Sequence, residues 1–392
     1  QVFAVAAQIV EEEVCSIEDV DRGAKVGLRW AQGPFEMANQ FGISKAVSMA
    51  QKYAELADFT LPDWFSQISK PLKFSYVDTI IENDIATVCI NRPEAMNALN
   101  ETVVSQLGSV LDSLNSRDDI STIILDGAGK AFVAGADVKF FVDKIRADSF
   151  SEIYDFTAKG HEVLSKLEHS NKVTIALTTG LALGGGLELA LACDYRIGTR
   201  RTQFRFPETS IGIYPGLGGT QRTTRICGIE AARFAILAGN FLDSESAMAF
   251  GLLTHLVNPG DVNKTIASIT KSGKPAIKYL GRPADISHPT VTFALDFYSD
   301  NNMQSINSGK CPEGFSTDDK MVIKQLKSLS RAAPIAISMS SALLEDAINT
   351  GDDLEKGLSL ELERLEEIFA TNDSLEGLSA LIEGRRPTYN NN

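Results

Sequence analysis

The sequence from Leu183 to Arg222, LGGGLELALACDYRIGTRRTQFRFPETSIGIYPGLGGTQR, contains two glycine turns and two acids from which the fold and chemistry can be inferred. Its glycines at 184–186 directly precede Leu187–Ala192, a run of strong helix formers, so the stretch predicts a turn that opens a helix. Glycine lets a backbone approach a ligand closely, and the first turn of a helix has N–H groups without helical acceptors. The stretch therefore predicts a site that stabilises developing negative charge.

Two carboxylates accompany these turns. Glu188 falls in the first turn of the predicted helix, and Glu208 follows Pro207 shortly before the glycine cluster at 216–219. Each acid also has a structural explanation, because a first-turn Glu complements the helix dipole and a Glu after Pro usually faces solvent. Their occurrence together with two glycine turns in one short apolar stretch favours a shared functional site.

Several blocks of the sequence resemble the enoyl-CoA hydratase/isomerase (crotonase) superfamily. They are GGGLEL, ACDYRIG, FPETSIGIYPGLGGTQR and, further on, LAGNFLDSESAMAFGLLTHLV. Upstream, Asn91–Pro93 with Asn97–Leu99 resembles the early strand-turn signature of the family, and KAFVAGADVK at 130–139 resembles its oxyanion-hole loop. The resemblance is close over 72–257 and looser over 331–392. It implies a crotonase-type spiral of repeated ββα turns followed by C-terminal helices.

The residue pattern independently predicts an α/β fold, because β-branched runs alternate with helical stretches. The predicted strands are Thr79–Ile81, Ile85–Ile90, Ser121–Leu125 and Val173–Leu177, and the predicted helices between them include Thr102–Asn115 and Phe150–Leu167. Near the C-terminus, apolar residues at helical spacing predict two amphipathic helices, the first with Met339, Leu343 and Ala347 and the second with Leu354, Leu358, Leu362, Leu365 and Phe369.

Residues 1–65 predict a small all-helical domain, with helical periodicity over Val2–Val14 and Ile43–Leu61. The segment IEDVDRGAKVGLRWAQGPFEMANQFGI resembles the C-terminal domain of 3-hydroxyacyl-CoA dehydrogenases in Asp19, Asp21, the turn at 33–35 and Gly42. An unrelated helical capping domain is the alternative. The full predicted division is a helical domain at 1–65, a linker at 66–71, a crotonase core at 72–257, an insertion at 258–330 and C-terminal helices at 331–392 that cover the core and support oligomerisation.

No nicotinamide site is expected in this chain, because no strand followed by GxGxxG precedes residue 17. Dehydrogenase activity is accordingly expected to be absent. The first residue is Gln1, so we expect a piece of a longer dehydrogenase-hydratase fusion whose NAD domain is missing here.

Composition excludes several other classes of protein. The 392 residues are 44% apolar and 22% charged, and the net charge of −14 disfavours a general nucleic-acid or anionic-membrane binder, although a local basic patch is enough for a phosphate-bearing ligand. No apolar run is long enough to cross a bilayer. Five cysteines without CxxC spacing and no recognisable signal peptide predict reduced thiols and a cytoplasmic location. The four histidines stand away from the motifs, so neither a His-based triad nor a metal site is predicted.

The family resemblance implies specific roles in the hydration of an acyl-CoA thioester. Backbone N–H groups of Ala136 and Gly185 would hold the thioester oxygen, Glu188 would activate water, and Glu208 would deliver a proton to C2. Gly216, Ala134 and Asp137 are implied to position water or substrate. For contact with the CoA phosphates the candidates are Lys139, Arg385 and Arg386, each of which has an ordinary exposed role as its alternative. The candidates for the wall of the acyl pocket are Phe140, Phe141 and Ile213.

These residues predict an enoyl-CoA hydratase that acts reversibly on a short-chain 2-enoyl-CoA such as crotonyl-CoA. Hydration is expected to need no cofactor beyond the CoA of the substrate, and the family resemblance implies a homotrimer or hexamer. Double-bond isomerases of the superfamily generally use one acid, and 3-hydroxyisobutyryl-CoA hydrolases lack an acid at the position of Glu188 and have Asp at that of Gly216. An isomerase, a 3-hydroxyacyl-CoA hydrolase and a non-catalytic CoA-binding or assembly module remain as alternatives.

Overall fold

The computed structural model describes residues 1–276 and 284–391, and its internal contacts divide the chain into two units, Gln1–Tyr76 and Val77–Asn392. Residues 277–283 of the predicted insertion and residue 392 of the predicted C-terminal segment lie outside the described residues. Within the described ranges, no helix combines the length and the apolar character needed to cross a membrane. The five-part division from the sequence stays a prediction.

The N-terminal unit is built from helices, as predicted. Its helices are α1 (Val2–Glu11), α2 (Ile17–Arg22) with a π-helical turn at Gly23–Gly27, α3 (Pro34–Phe41), α4 (Ile43–Ala57) and α5 (Asp63–Ser66). Phe35 and Phe65 are fully buried in its core, with ring centroids 6.3 Å apart.

The buried carboxylate of Asp21 fixes the start of α3. Its two oxygens accept hydrogen bonds from the N–H groups of Phe35 and Glu36, both at 2.8 Å, so the side chain caps two N–H groups that lack helical acceptors. A Cβ on Gly33 would lie 2.2 Å from Cγ of Asp21, so only glycine fits beside this cap. Burial raises the pKa of Asp21 to about 6. Asp21 and the turn at 33–35, two of the features that resemble the dehydrogenase domain, thus have a structural role in this unit.

In the described part of the second unit, ten strands form two sheets. The strands are β1 (Val77–Glu82), β2 (Ile85–Ile90), β3 (Thr122–Gly127), β4 (Ala131–Ala134), β5 (Val173–Thr178), β6 (Leu181–Leu183), β7 (Tyr195–Gly198), β8 (Gln203–Arg205), β9 (Leu242–Asp243) and β10 (His255–Leu256). The larger sheet has the order β1-β2-β3-β5-β7-β10, and the smaller has the order β4-β6-β8-β9. Only the β1–β2 and β8–β9 pairs are antiparallel among these described strands.

Helices connect and cover these sheets, as expected for parallel strands joined by crossover connections. They are α6 (Glu101–Asn115), α7 (Val138–Arg146), α8 (Phe150–Glu168), α9 (Gly185–Leu191), α10 (Gly219–Cys227), α11 (Ile229–Ile236), α12 (Ser244–Ala249), α13 (Val262–Ser272), α14 (Pro289–Phe297), α15 (Asp300–Asn307), α16 (Lys320–Leu329), α17 (Pro334–Asn349), α18 (Leu354–Glu363), α19 (Leu365–Phe369) and α20 (Asn372–Glu383). Short 3₁₀ turns lie at Pro93–Ala95, Glu208–Ile211 and Pro259–Asp261. The alternation of strand and helix predicted from the sequence is confirmed.

The prediction of two amphipathic helices near the C-terminus is wrong in number. The second apolar run is divided at Arg364 into α18 and α19, and α20 follows. Arg364 forms an ion pair with Asp346 (2.6 Å), which ties the point between α18 and α19 to α17. An apolar period alone does not reveal this break, because Leu362 and Leu365 on its two sides both keep the pattern.

Candidate active site

The functional residues follow the ends of three neighbouring parallel strands. Ala134 of β4 pairs with Leu183 of β6, which in turn pairs with Arg205 of β8. Because the carboxyl ends of these strands meet at one edge of the sheet, the segments after them, 135–137, 184–188 and 206–208, lie beside one another. The sheet thus brings the predicted oxyanion loop, the glycine turn and the second acid to one place.

The glycine turn after β6 is tightly enclosed. Gly184 has a φ of +48°, and a Cβ there would lie 2.2 Å from Oε1 of Glu208. A Cβ on Gly186 would lie 2.0 Å from the carbonyl oxygen of Val133. Larger residues at either position would displace the backbone that starts α9, so these glycines are required by close approach.

A cavity of about 290 Å³ lies at this edge of the sheet. Among the predicted site residues, those that line it are Ala134, Ala136, Gly185, Glu188, Glu208 and Gly216. Most of its remaining wall is apolar and includes Phe141, Phe156, Leu217 and Phe369. The cavity therefore combines two acids with a water-poor surface, as small-molecule sites commonly do.

Two backbone donors border this cavity. Within residues 1–276 and 284–391, the N–H groups of Ala136 and Gly185 have no hydrogen-bond acceptor. Leu99 holds the chain on both sides of Ala136, since its N–H donates to Gly135 (2.9 Å) and its carbonyl accepts from Asp137 (2.8 Å). Two oriented N–H groups at a cavity wall are suited to stabilise an oxyanion.

Glu188 is buried and held by one of its two carboxylate oxygens. Its Oε1 accepts hydrogen bonds from the N–H groups of Leu217 and Gly219, both at 2.7 Å. A Cβ on Gly185 would lie 3.9 Å from Oε2, which places the second oxygen beside the glycine turn. Burial raises the pKa of Glu188 to about 7, while the two N–H donors and the charge of Arg222 act in the opposite direction.

Glu208 has a different environment, which favours its protonated form. Burial, and then the negative charge of Glu188, raise the pKa of Glu208 well above its ordinary value, and the positive charge of Arg205 opposes this only in part. Its buried Oε2 has no hydrogen-bond partner among the described residues. Glu188 therefore ionises first, and its charge helps to keep a proton on Glu208. One base and one acid result from two glutamates that differ only in their surroundings.

Three further buried side chains hold the turn at 216–219, and none of them was predicted from the sequence. Nε2 of His161 donates to the carbonyl of Gly216 (2.7 Å), so the Nε2–H tautomer is present, and burial lowers the pKa of His161 to about 4. Arg222 donates to the carbonyl of Leu217 (2.9 Å) and forms an ion pair with Glu168 (2.7 Å). None of the four histidines lies beside the motifs in the sequence, but the fold brings His161 of α8 against the turn at 216–219.

The third of these side chains is Glu361 of α18, which is fully buried. Its carboxylate accepts hydrogen bonds from the N–H of Gly218 (2.6 Å) and from the hydroxyl of Thr220. Burial, and then the charge of Glu188, raise its pKa to about 8. The signal was in the sequence, because Glu361 lies between Leu358 and Leu365 on the apolar face of the predicted helix, where a carboxylate is unusual.

Several predicted contact residues are engaged elsewhere. Asp137 forms an ion pair with Arg92 (3.2 Å) and is not among the residues lining the cavity. The side chain of Lys139 is exposed and pairs with Asp143. The guanidinium of Arg385 pairs with Glu376 at 2.6 and 2.7 Å and with Glu383 at 2.5 Å.

Two further predicted residues lie away from the cavity surface. Arg386 is exposed. Phe140 packs beside the rings of Phe141 and Phe156 and does not line the cavity, whereas the other two wall candidates, Phe141 and Ile213, do.

Comparison with known proteins gives two family matches. Residues 85–392 match the family model described as enoyl-CoA hydratase/isomerase, and residues 1–71 match the one described as the C-terminal domain of 3-hydroxyacyl-CoA dehydrogenase. Both resemblances predicted from the sequence are confirmed.

Individual relatives cover most of the chain. A short-chain-enoyl-CoA hydratase of Clostridium acetobutylicum is 30% identical over 308 residues, which are 78% of this chain and 94% of the relative. A probable enoyl-CoA hydratase of Mycobacterium bovis is 31% identical over 323 residues, which are 80% of this chain and 98% of the relative. A crystal structure of a carnitinyl-CoA dehydratase from Mycobacterium thermoresistibile matches with a TM-score of 0.68 at 21% identity, covering 81% of this chain and 92% of that one. This last likeness concerns the fold alone, and it confirms the predicted crotonase-type α/β core.

Proposed function

This chain belongs to the enoyl-CoA hydratase/isomerase family, and from that premise we propose that it is an enoyl-CoA hydratase that adds water reversibly to short-chain 2-enoyl-CoA thioesters. The observation that carries this proposal is the pair of buried glutamates, Glu188 and Glu208, which share one apolar cavity with two backbone donors that have no acceptor among the described residues. Hydration by this route uses protein groups and water and requires no cofactor beyond the CoA of the substrate.

The backbone donors act on the thioester oxygen. As water adds at C3, negative charge develops on that oxygen, and the N–H groups of Ala136 and Gly185 stabilise it. Removal of one such donor typically costs about 3 kcal/mol of transition-state stabilisation. Because both donors belong to the main chain, their placement depends on the glycine turn and on the contacts of Leu99.

The two acids divide the proton transfers. Ionised Glu188 removes a proton from water, and protonated Glu208 delivers one to C2. Gly216 leaves room for the attacking water, because a Cβ there would meet no atom closer than 3.5 Å. In dehydration the same groups act in reverse, so Glu208 accepts the proton from C2 and Glu188 returns one to the departing hydroxyl.

Hydration is tested with crotonyl-CoA, whose conjugated enoyl-thioester absorbance is lost as water adds. We expect the purified protein to remove this absorbance at a rate typical of enzymes, about 1 to 10³ per second. Formation of 3-hydroxybutyryl-CoA, identified by mass, distinguishes hydration from thioester hydrolysis, which releases free CoA, and from double-bond isomerisation, which leaves the mass unchanged. An inactive protein that still binds CoA thioesters would contradict the proposal.

A cluster of aromatic rings forms the end wall of the acyl pocket. Phe141 stacks on Phe369 with ring centroids 5.1 Å apart and meets Phe156 edge-on at 5.8 Å. With about 290 Å³ available, the cavity suits a short acyl chain better than a long one.

Phe141→Ala is expected to shift chain-length preference towards longer substrates. Each methylene that gains a buried position contributes about 0.8 kcal/mol, so the kcat/KM for an eight-carbon enoyl-CoA, relative to crotonyl-CoA, is expected to rise by about tenfold or more. Phe140→Ala is the matched control, since Phe140 packs beside the same rings outside the cavity wall. An unchanged kcat/KM ratio in the Phe141 variant would place the acyl chain elsewhere.

The remaining expectations concern assembly and the N-terminal unit. A homotrimer or hexamer, a cytoplasmic location and CoA-phosphate contacts by Lys139, Arg385 or Arg386 stay predictions. We assign residues 1–65 a structural role in this chain, and the predicted lack of a nicotinamide site stays a prediction. The five cysteines all lie within the described residues, and none of them forms a disulfide there.

A further inference from the structure

The backbone of residues 217–220 is shared by two buried carboxylates. The N–H groups of Leu217 and Gly219 donate to Oε1 of Glu188, both at 2.7 Å. The N–H of Gly218, which lies between them, donates to Oε2 of Glu361 at 2.6 Å. The hydroxyl of Thr220 donates to Oε1 of Glu361. Consecutive donors thus alternate between the proposed base and a carboxylate on a C-terminal helix.

The main chain of Glu361 is also held in place by a hydrogen bond. The hydroxyl of Tyr214 donates to its main-chain carbonyl at 2.5 Å, so the start of the glycine loop and α18 are joined at this one residue. Glu361 does not belong to the residues lining the cavity. It therefore has no direct route to substrate and acts through the segment that it holds.

We propose that Glu361 is a positioning residue for the hydration reaction, which orients the carboxylate of Glu188 by fixing the opposite side of the 217–220 backbone. This inference rests on the proposed function. Glu361 is a third carboxylate at the site, beside Glu188 and Glu208. A neutral acceptor at its position would satisfy the same donors without the desolvation cost of a buried ionisable group.

The charge of Glu361 is coupled to that of Glu188. The negative charge of Glu188 contributes to the raised pKa of Glu361, and this repulsion is mutual. Charged and titratable groups around Glu361 are Glu188 on α9, Arg222 and Arg225 on α10, Tyr214 in the preceding loop, Glu168 of α8 through its ion pair with Arg222, and the Asp346–Arg364 pair that joins α17 to the end of α18. Ionisation of Glu361 therefore opposes ionisation of the proposed base.

Two variants separate orientation from charge. Glu361→Ala removes the acceptor for Gly218 and leaves that buried N–H unpaired, so kcat for crotonyl-CoA is expected to fall at least tenfold, while KM stays within about threefold. Glu361→Gln keeps an acceptor oxygen and is expected to recover most of this loss at neutral pH. Glu363→Gln, an exposed change on the same helix, is the matched control and is expected to behave as wild type.

The pH profile tests the charge coupling. The pKa of Glu361, about 8, lies above that of Glu188, about 7, so Glu361 is mostly protonated while Glu188 ionises and becomes charged only at higher pH. In Glu361→Gln this second charge is absent, so the lower part of the acid limb of kcat/KM is expected to stay in place, and kcat/KM is expected to reach its plateau at lower pH than in wild type. A purely structural role for Glu361 would leave the whole pH profile of kcat/KM unchanged. If wild type hydrates crotonyl-CoA while both Glu361 variants keep its kcat and its pH profile, the positioning role is overturned.

A second readout does not depend on activity. A buried acid with a raised pKa stabilises the fold fully below its unfolded pKa and loses that contribution as pH rises through its folded pKa. The melting temperature of wild type is therefore expected to fall between about pH 5 and pH 8, and to fall less in Glu361→Gln. Failure of wild type to hydrate crotonyl-CoA would overturn the proposed function. In that case the coupling between Glu188 and Glu361 is tested by the melting temperatures of Glu188→Gln, Glu361→Gln and the double variant. If the change in the double variant equals the sum of the changes in the two single variants, the coupling is overturned.

Discussion

Glu188→Gln is expected to lower kcat for the hydration of crotonyl-CoA by about 10²- to 10⁴-fold, the range typical of a lost general base. The structural reason is that glutamine retains Oε1, which accepts from the N–H groups of Leu217 and Gly219, while an amide nitrogen replaces Oε2 beside the glycine turn. The turn keeps its shape and only the basicity is lost. KM is therefore expected to stay within a few-fold of wild type.

The pH dependence of wild type provides a second check on the same residue. The proposed mechanism uses the ionised form of Glu188, and burial raises its pKa to about 7, so kcat/KM is expected to fall as pH decreases below about 7. Glu162→Gln, an exposed change on α8, is the control and is expected to leave the profile unaltered. A Glu188→Gln enzyme with a rate near that of wild type and the same acid limb would show that another group activates water.

Glu208→Gln is expected to give a loss of similar size, about 10²- to 10⁴-fold in kcat, for a different reason. Burial and the charge of Glu188 raise the pKa of Glu208, which favours the protonated form that the proposed proton transfer to C2 requires. Glutamine fills the same space and still has N–H groups, but it does not transfer a proton. Stopped-flow measurement of the enoyl absorbance checks this loss under the conditions used for wild type.

Exchange at C2 distinguishes the two acids. When 3-hydroxybutyryl-CoA is incubated with wild type in D₂O, reversible dehydration is expected to introduce deuterium at C2, and mass spectrometry measures its rate. This exchange is expected to be lost in Glu208→Gln, which lacks the group that accepts the C2 proton. Glu376→Gln is the control, because Glu376 is a glutamate paired with Arg385 away from the cavity. Rapid C2 exchange in Glu208→Gln would remove Glu208 from the proton transfer at C2.

Long, regular elements were predictable from local pattern. Ile85–Ile90 was predicted and is β2 to the residue, and Phe150–Leu167 differs from α8 by one residue at its end. In these segments β-branched runs or helical periodicity extend over enough residues to fix the element. The short strands β4, β6 and β8 have four, three and three residues and were not predicted, because so few residues carry no period.

The site was predictable where the chemistry is local in sequence. The glycine turn and the two acids lie in one stretch, and the structure brings Glu188, Glu208, Ala136 and Gly185 to one cavity. His161 and Glu361 come from helices before and after that stretch, and their contacts depend on how those helices pack. In the sequence, Glu361 resembles Glu363 and Glu366, which are exposed, and only its register on the apolar face sets it apart.

The shared backbone at 217–220 has an evolutionary consequence. Four consecutive residues satisfy two carboxylates on α9 and α18, and neighbouring carbonyls accept from His161 and Arg222. The effect of a substitution on any one of these helices therefore depends on the residues present on the others, so epistasis is expected in this part of the molecule. In the aromatic wall of the cavity the side chains contact one another, so we expect substitutions that change substrate preference to be accepted more readily there.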